Sequence, residues 1–141
     1  MIVVDTSVIL AFMNATDTWH ERVAAWLDHE DDVLVTTPLI LAETDHLVGV
    51  RGGRAAQAAL RSDLIRGAYM VEWWQGALRT TVEVAERYAD ADLGLADASL
   101  IALADRSGTV AVATLDERHF RAARPIRGEA FELLPIDHAD S

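Results

Sequence analysis

The chain has no cysteine and no lysine among its 141 residues. Without cysteine it forms no disulfide framework, no thiolate nucleophile and no cysteine-ligated zinc site, which fits a reducing, cytoplasmic environment. Without lysine, all 12 basic side chains are arginines, against 23 acidic residues. The net charge of −11 argues against binding of nucleic acid or anionic membrane through bulk charge. Any nucleic-acid contact must therefore be local, and a basic partner protein would suit the chain.

Long uninterrupted apolar runs are missing as well. The apolar stretch over residues 1–13 lacks a basic leader and is interrupted by Asp5, so we expect no signal peptide and no membrane span. Hydrophobic residues still make up 51% of the chain, which is ample for a core. We therefore predict one domain over residues 1–136 and a flexible tail over residues 137–141.

Short apolar segments alternate with longer amphipathic ones. The short segments are rich in β-branched or aromatic residues and predict strands. They are Val3–Val4, Val33–Val35, Tyr69–Val71, Val110–Ala113 and Phe131–Leu134. The longer segments have apolar residues at steps of three and four and predict helices. They begin near Asp17, Pro38, Arg54, Leu78 and Ala96, and Gly52–Gly53 is expected to end the second of them. This alternation predicts a parallel sheet with helices on both faces.

Four acidic residues stand at the edges of hydrophobic segments. They are Asp5, Glu43, Asp97 and Asp116. Parallel sheets bind ligands at the carboxyl ends of their strands, so acids gathered there indicate a site for one or two divalent ions. Singly, Asp5 and Asp116 also suit ordinary turns, and Asp97 suits the first turn of a helix. Glu43 lies in an apolar stretch, and we expect it to face inward.

Three motifs and Glu43 together carry a resemblance to a known family. The motifs are residues 3–10 (VVDTSVIL), residues 96–102 (ADASLIA) and residues 114–116 (TLD) with Phe120. Over essentially its whole length the chain resembles the PIN-domain family, and most of all the VapC toxins of bacterial toxin–antitoxin pairs. The resemblance implies a three-layer α/β/α sandwich with a mostly parallel five-stranded sheet. It also implies an endoribonuclease that depends on Mg²⁺, for which Mn²⁺ can substitute.

Position by position, the resemblance implies a set of site residues. The catalytic and metal-binding quartet would be Asp5, Glu43, Asp97 and Asp116. Thr114, and Thr6 or Ser7, match hydroxyls that help to order such a site, and Thr6 and Ser7 can also cap the following helix. Asp92 stands where some members carry an additional acid.

The resemblance further implies partners. A cognate antitoxin would wrap the toxin with its carboxy-terminal segment and could insert an arginine into the acidic site, which agrees with the charge of the chain. Members of this family usually form homodimers, so a homodimer is expected. The sequence does not decide whether transfer, ribosomal or messenger RNA is cleaved.

Two groups of arginines are candidates for RNA contacts. The first group is Arg51, Arg54, Arg61 and Arg66, and the second is Arg118, Arg121, Arg124 and Arg127. Ordinary ion pairs explain the first group equally well. In the second, we expect Arg118, Arg121 and Arg124 to bind RNA. We interpret His119 as a surface or packing residue and not as a general base.

Other classes fit the sequence less well. A receiver domain needs a lysine in its acidic site, and a haloacid-dehalogenase phosphatase needs an acid where this chain has Ser7. The more serious alternative is a non-catalytic module that binds a basic antitoxin or RNA without cutting it. Metal-dependent cleavage separates the two.

Overall fold

A computed structural model describes residues 1–138 and contains one five-stranded sheet. The strands are β1 (Ile2–Val4), β2 (Leu34–Thr36), β3 (Met70–Val71), β4 (Ala111–Ala113) and β5 (Glu132–Leu134). Their order is β3-β2-β1-β4-β5, and every pairing is parallel. The predicted parallel sheet is confirmed, and each strand lies within one or two residues of its predicted place.

Six α-helices connect and cover these strands. They are α1 (Thr6–Met13), α2 (His20–Asp28), α3 (Pro38–Ile65), α4 (Ala77–Arg87), α5 (Leu95–Ser107) and α6 (Glu117–Ala122). Two 3-10 turns, Ala89–Ala91 and Ile136–His138, complete the described part of the chain. The predicted tail overlaps the second turn, and its residues 139–141 lie outside the described residues.

Helix α3 is two helices joined at a kink. Gly53 has φ +81° inside it, a backbone conformation that L side chains rarely adopt. The break lies where the Gly52–Gly53 pair predicted the end of one helix. The N-terminus of the first part is capped, because the Thr37 side chain accepts a hydrogen bond from the Ile40 amide, and Pro38 occupies the first turn.

The sheet separates two hydrophobic cores. Val3, Val112 and Leu133 point to the core beneath α4 and α5. The next residue along each strand points to the opposite face, so that Val4 and Ala113 pack with α1 and α2. This alternation is the side-chain period of a strand, and it confirms the three-layer arrangement. No helix within residues 1–138 is long and apolar enough to cross a bilayer.

Adjacent pairing of β1 and β4 positions the carboxyl ends of these strands. Val4 pairs with Ala113, and the Asp5 amide then donates to the Ala113 carbonyl oxygen at 2.9 Å. The two loops that follow these strands therefore begin side by side. Asp5 also caps α1 by accepting a hydrogen bond from the Thr6 amide, so the prediction that Thr6 or Ser7 caps this helix was wrong.

Candidate metal centre

All four predicted acids line one pocket at the carboxyl edge of the sheet. The pocket has a volume of about 500 Å³. Asp5 reaches it from the end of β1, Asp116 from the loop after β4, Asp97 from the first turn of α5, and Glu43 from the second turn of α3. The tertiary structure thus brings together residues that are separated by more than 100 positions in sequence.

Asp5 is the most firmly held of the four. Its side chain is buried, and its Oδ1 accepts a hydrogen bond from the Thr6 amide at 2.8 Å. Its Oδ2 accepts hydrogen bonds from the hydroxyls of Ser7 and Thr114, each at 2.8 Å. Burial raises the pKa of Asp5 above its usual range, and these three donors oppose that rise. The predicted hydroxyl residues Ser7 and Thr114 therefore contact the site directly.

The Asp116 carboxylate has one hydrogen-bond partner among the described residues, His119. Its Oδ1 accepts a hydrogen bond from the His119 amide at 3.1 Å, which caps α6. Its Oδ2 lies 2.6 Å from the His119 Nδ1. The hydrogen bond to Asp116 raises the pKa of His119 above its usual range. His119 is thus half-buried in the pocket wall, where it packs against Asp116, and the sequence motifs gave no sign of this position beside the acids.

Asp97 and Glu43 differ from Asp5 and Asp116, because neither carboxylate accepts a hydrogen bond from any residue of the described chain. Burial, followed by the charge of Asp5, raises the pKa of Asp97 to about 7. Glu43 is exposed on the pocket rim and does not face inward as predicted. Partial desolvation and the charge of Asp5 nevertheless raise its pKa. Both carboxylates have all their lone pairs available for a cation.

Buried hydroxyls fix the helices that carry these two acids. The Oγ1 of Thr37, at the start of α3, lies 2.7 Å from the Oγ of Ser99 in α5. Two turns along α3, the Oγ1 of Thr44 lies 3.0 Å from that of Thr6. Helices α1, α3 and α5 are therefore pinned to one another directly beneath the pocket, and this sets the positions of Glu43 and Asp97.

The remaining predicted site residues lie elsewhere or are already paired. Asp92 is exposed in a left-handed turn and does not line the pocket. Arg121 forms a bidentate ion pair with Asp137 and lies 3.7 Å from Glu117. Arg118 and Arg124 are exposed, and the described residues offer their guanidinium groups no ion-pair partner.

One arginine of the first group lines the acidic pocket. Arg51 lies two helical turns beyond Glu43 on the same face of α3, with Leu47 between them. It is exposed, and no carboxylate within residues 1–138 pairs with it. Arg61, in contrast, forms a bidentate pair with Asp45 at 2.8 and 2.9 Å. Periodicity along the predicted helix could have placed Arg51 beside Glu43, but not Arg61 beside Asp45 across the kink.

Comparison with known proteins shows which family has this arrangement of strands, helices and acids. Residues 2–125 match the PIN domain. The chain belongs to the PIN-domain family. It is similar to Ribonuclease VapC26 of Mycobacterium tuberculosis (strain ATCC 25618 / H37Rv), with 36% identity over 135 residues that cover 95% of this chain and 100% of that protein. The predicted family is therefore confirmed.

Two solved structures share the PIN-domain fold. The Mycobacterium tuberculosis protein VapC20, a sarcin–ricin loop cleaving toxin, superposes with a TM-score of 0.79 at 23% identity, covering 87% of this chain and 95% of that chain. FitAcB from Neisseria gonorrhoeae superposes with a TM-score of 0.61 at 24% identity, covering 94% and 97% respectively. At these identities the two structures support the fold of the PIN domain described here.

The donor atoms in the PIN-domain pocket fit a divalent cation. Within residues 1–138, one group of three side chains has ligand atoms that all lie within 4.8 Å of one another, and it consists of Asp97, Asp116 and His119. Asp5 and Glu43 lie beside this group and interact electrostatically with Asp97. Carboxylate oxygens are the ligands that hard divalent ions prefer, and a cation would offset the burial and the mutual repulsion that raise the pKa values of Asp97 and Glu43. This PIN domain can therefore bind a metal ion in its pocket.

Proposed function

We propose that this PIN domain is the toxin of a VapC-type toxin–antitoxin pair and cleaves RNA phosphodiester bonds with the help of a divalent ion, Mg²⁺ or in its place Mn²⁺. The observation that carries the proposal is the convergence of four carboxylates on one pocket, two of which accept no hydrogen bond from the described chain. The similarity to a VapC ribonuclease over nearly the whole chain supports the same activity.

Each acid has a distinct part in the proposed mechanism. Asp97 and Asp116 would hold the ion, with Asp5 and Glu43 completing the set of ligands or binding a second ion. When bound, the ion supplies an activated water and stabilises negative charge on the phosphate. Ser7 and Thr114 fix the Asp5 carboxylate and favour its ionised form by donating to its Oδ2. Attack by water leaves a 5′-phosphate and a 3′-hydroxyl.

RNA must approach this acidic pocket against repulsion. Arg51 stands on the pocket wall without an ion-pair partner in the described chain, so its guanidinium is available for a phosphate. Arg118 adjoins His119 in α6 and is exposed, which suits a second phosphate contact, and Arg124 is exposed just beyond the end of this helix. Arg121 contributes less, because Asp137 already neutralises it. The phosphate contacts that we propose are therefore led by Arg51 and Arg118.

The proposed partners follow from charge and family. A basic antitoxin segment would place an arginine among the four acids and exclude both metal and RNA. We expect the toxin to act in the cytoplasm, as a homodimer when it is free of antitoxin. The RNA target is a matter of groove shape and charge placement, which the first cleavage products would identify.

The direct test is incubation of purified, antitoxin-free protein with total cellular RNA in Mg²⁺, in Mn²⁺ and in EDTA. We expect discrete fragments that require the metal and disappear with Asp97→Asn. Asp90→Asn is the matched control, since Asp90 is an exposed acid outside the pocket. A folded wild-type protein that leaves RNA intact with both metals would favour the alternative, a non-catalytic module that binds antitoxin or RNA.

A further inference from the structure

We propose that the imidazole of His119 is a direct ligand of the metal, so that this acidic pocket is a mixed nitrogen and oxygen centre. The inference rests on the divalent ion of the proposed function but not on RNA cleavage. It adds to the four carboxylates a residue that the sequence motifs do not single out.

The distances place the ring nitrogen within the reach of one ion. His119 Nδ1 lies 2.6 Å from Asp116 Oδ2 and 4.0 Å from Asp97 Oδ2. Ligands of one octahedral ion with bonds of about 2.1 Å lie roughly 3 Å apart when adjacent and about 4.2 Å apart when opposite. These two spacings approach the adjacent and opposite positions, and an ion between Asp97 and Asp116 would replace the proton that joins His119 Nδ1 to Asp116 Oδ2.

The fold of α6 directs His119 toward the pocket. Phe120, the next residue, is 1% exposed and packs edge-on against Phe131, with ring centroids 5.9 Å apart. Because successive helical residues point about 100° apart, burial of Phe120 turns His119 away from the core and toward the acids. The His119 amide also donates to Asp116 Oδ1, so the helix start and the ring position are set together.

Other histidines of the chain make different contacts. The Nδ1 atoms of His20 and His29 each lie 2.9 Å from a backbone carbonyl oxygen, of Ala11 and Ala25 respectively. The His119 ring, in contrast, meets two carboxylates that both line the pocket. An imidazole among carboxylates is a donor set that transition ions accept more readily than Mg²⁺ does. The centre should accordingly prefer Mn²⁺ to Mg²⁺.

Electron spin-echo envelope modulation of the Mn²⁺-loaded protein tests the ligand directly. We expect ¹⁴N modulation from a bound imidazole, and we expect it to change to the ¹⁵N pattern when only the histidines are labelled with ¹⁵N. This measurement needs no variant and no RNA. His119→Ala should abolish the modulation, and a substitution of the exposed His29, which follows α2, should leave it unchanged when made as His29→Gln.

Binding affinities supply the second readout. His119→Ala should raise the Kd for Mn²⁺ about tenfold or more and the Kd for Mg²⁺ by less, so that the preference for Mn²⁺ over Mg²⁺ falls toward that of an all-oxygen site. His119→Gln, which keeps a polar side chain near Asp116, should behave in the same way. Circular dichroism would confirm that both variants fold.

Specific outcomes would overturn the inference. Bound Mn²⁺ without nitrogen modulation in the wild-type protein would mean that His119 only donates a hydrogen bond to Asp116. Modulation that survives His119→Ala would assign the nitrogen to another residue. Metal-dependent RNA cleavage without nitrogen modulation would defeat this inference and leave the proposed function intact, whereas modulation without cleavage would do the reverse.

Discussion

The acidic pocket has two halves that the chain supports differently. In the bonded half, Asp5 accepts three hydrogen bonds and Asp116 is held at both oxygens by His119. In the open half, Asp97 and Glu43 accept none from the described residues, although Asp97 is only 19% exposed. A carboxylate that is buried without donors destabilises the folded protein unless a cation compensates it. The difference indicates that the bonded half serves both the fold and the site, whereas the open half serves the ligand.

Removal of one carboxylate from each half should separate these roles most strongly. Both Asp5→Ala and Asp97→Ala should lower RNA cleavage by roughly 100-fold or more, because each removes charge from the proposed metal site. In EDTA, only Asp5→Ala should also lower the free energy of unfolding, by about 2–4 kcal/mol, since three buried donors lose their acceptor. Urea unfolding of the two variants beside Asp90→Ala checks this. Equal destabilisation by both would contradict the division into halves.

The open half should also make the metal-free protein less stable as the pH rises. The pKa of Asp97 is about 7 in the folded protein and near 3.8 when unfolded, so the folded state binds more protons between these values. The free energy of unfolding should therefore fall from about pH 5 to pH 8, by at most about 3 kcal/mol for this group. The raised pKa values of Asp5, Glu43 and His119 act with the same sign.

Urea midpoints in EDTA at pH 5.5 and pH 8.0 measure this dependence. Asp97→Asn should flatten it and raise the stability at pH 8.0, and addition of Mn²⁺ or Mg²⁺ should stabilise the wild-type protein there more than the variant. A wild-type protein that becomes more stable between these pH values would show that the acids of the open half do not carry the repulsion described here.

Hydroxyl donors of the bonded half offer a finer comparison. Thr114→Val removes the donor to Asp5 Oδ2 and the acceptor for the Asp116 amide, which should cost about 1–3 kcal/mol of stability. Thr81→Val is the matched control, because the Thr81 hydroxyl is equally buried but has no hydrogen-bond partner within residues 1–138. That control should be neutral or stabilising. Similar losses in both variants would point to packing instead of hydrogen bonding.

The smallest effect expected is on RNA affinity. Arg51→Gln should weaken binding of single-stranded RNA several-fold and lower the slope of log affinity against log salt by about 0.7, the loss of one phosphate contact. Arg121→Gln should leave the slope nearly unchanged, because Asp137 already neutralises that arginine. Titration of fluorescent RNA onto the Asp97→Asn variant measures both without cleavage. A larger effect from Arg121→Gln than from Arg51→Gln would mean that Arg121 binds RNA despite its ion pair and that Arg51 is not a main RNA contact.

Much of the fold could be predicted because its signals are local. The β-branched segment before Asp5 and the Gly52–Gly53 pair act on their immediate neighbours, and the structure has a strand and a helix break at these positions. Helix α6 was missed because six residues are too few to show helical periodicity. Glu43 was predicted to face inward from its apolar neighbours, but the opening between α3 and the sheet edge leaves it exposed on the rim.

By itself the sequence determined the order of the strands and of all the helices except α6, and it placed Asp5, Asp97 and Asp116 at the ends of elements. It did so because hydrophobic periodicity and strand propensity depend on residues within a few positions of one another. Only the tertiary structure decided that His119 faces the acids and that Arg121 is paired. It also decided that, among the residues it describes, none donates a hydrogen bond to Asp97 and none forms an ion pair with Arg51. These properties depend on which side chains meet across elements distant in sequence, and side-chain packing and desolvation settle them only once the chain has folded.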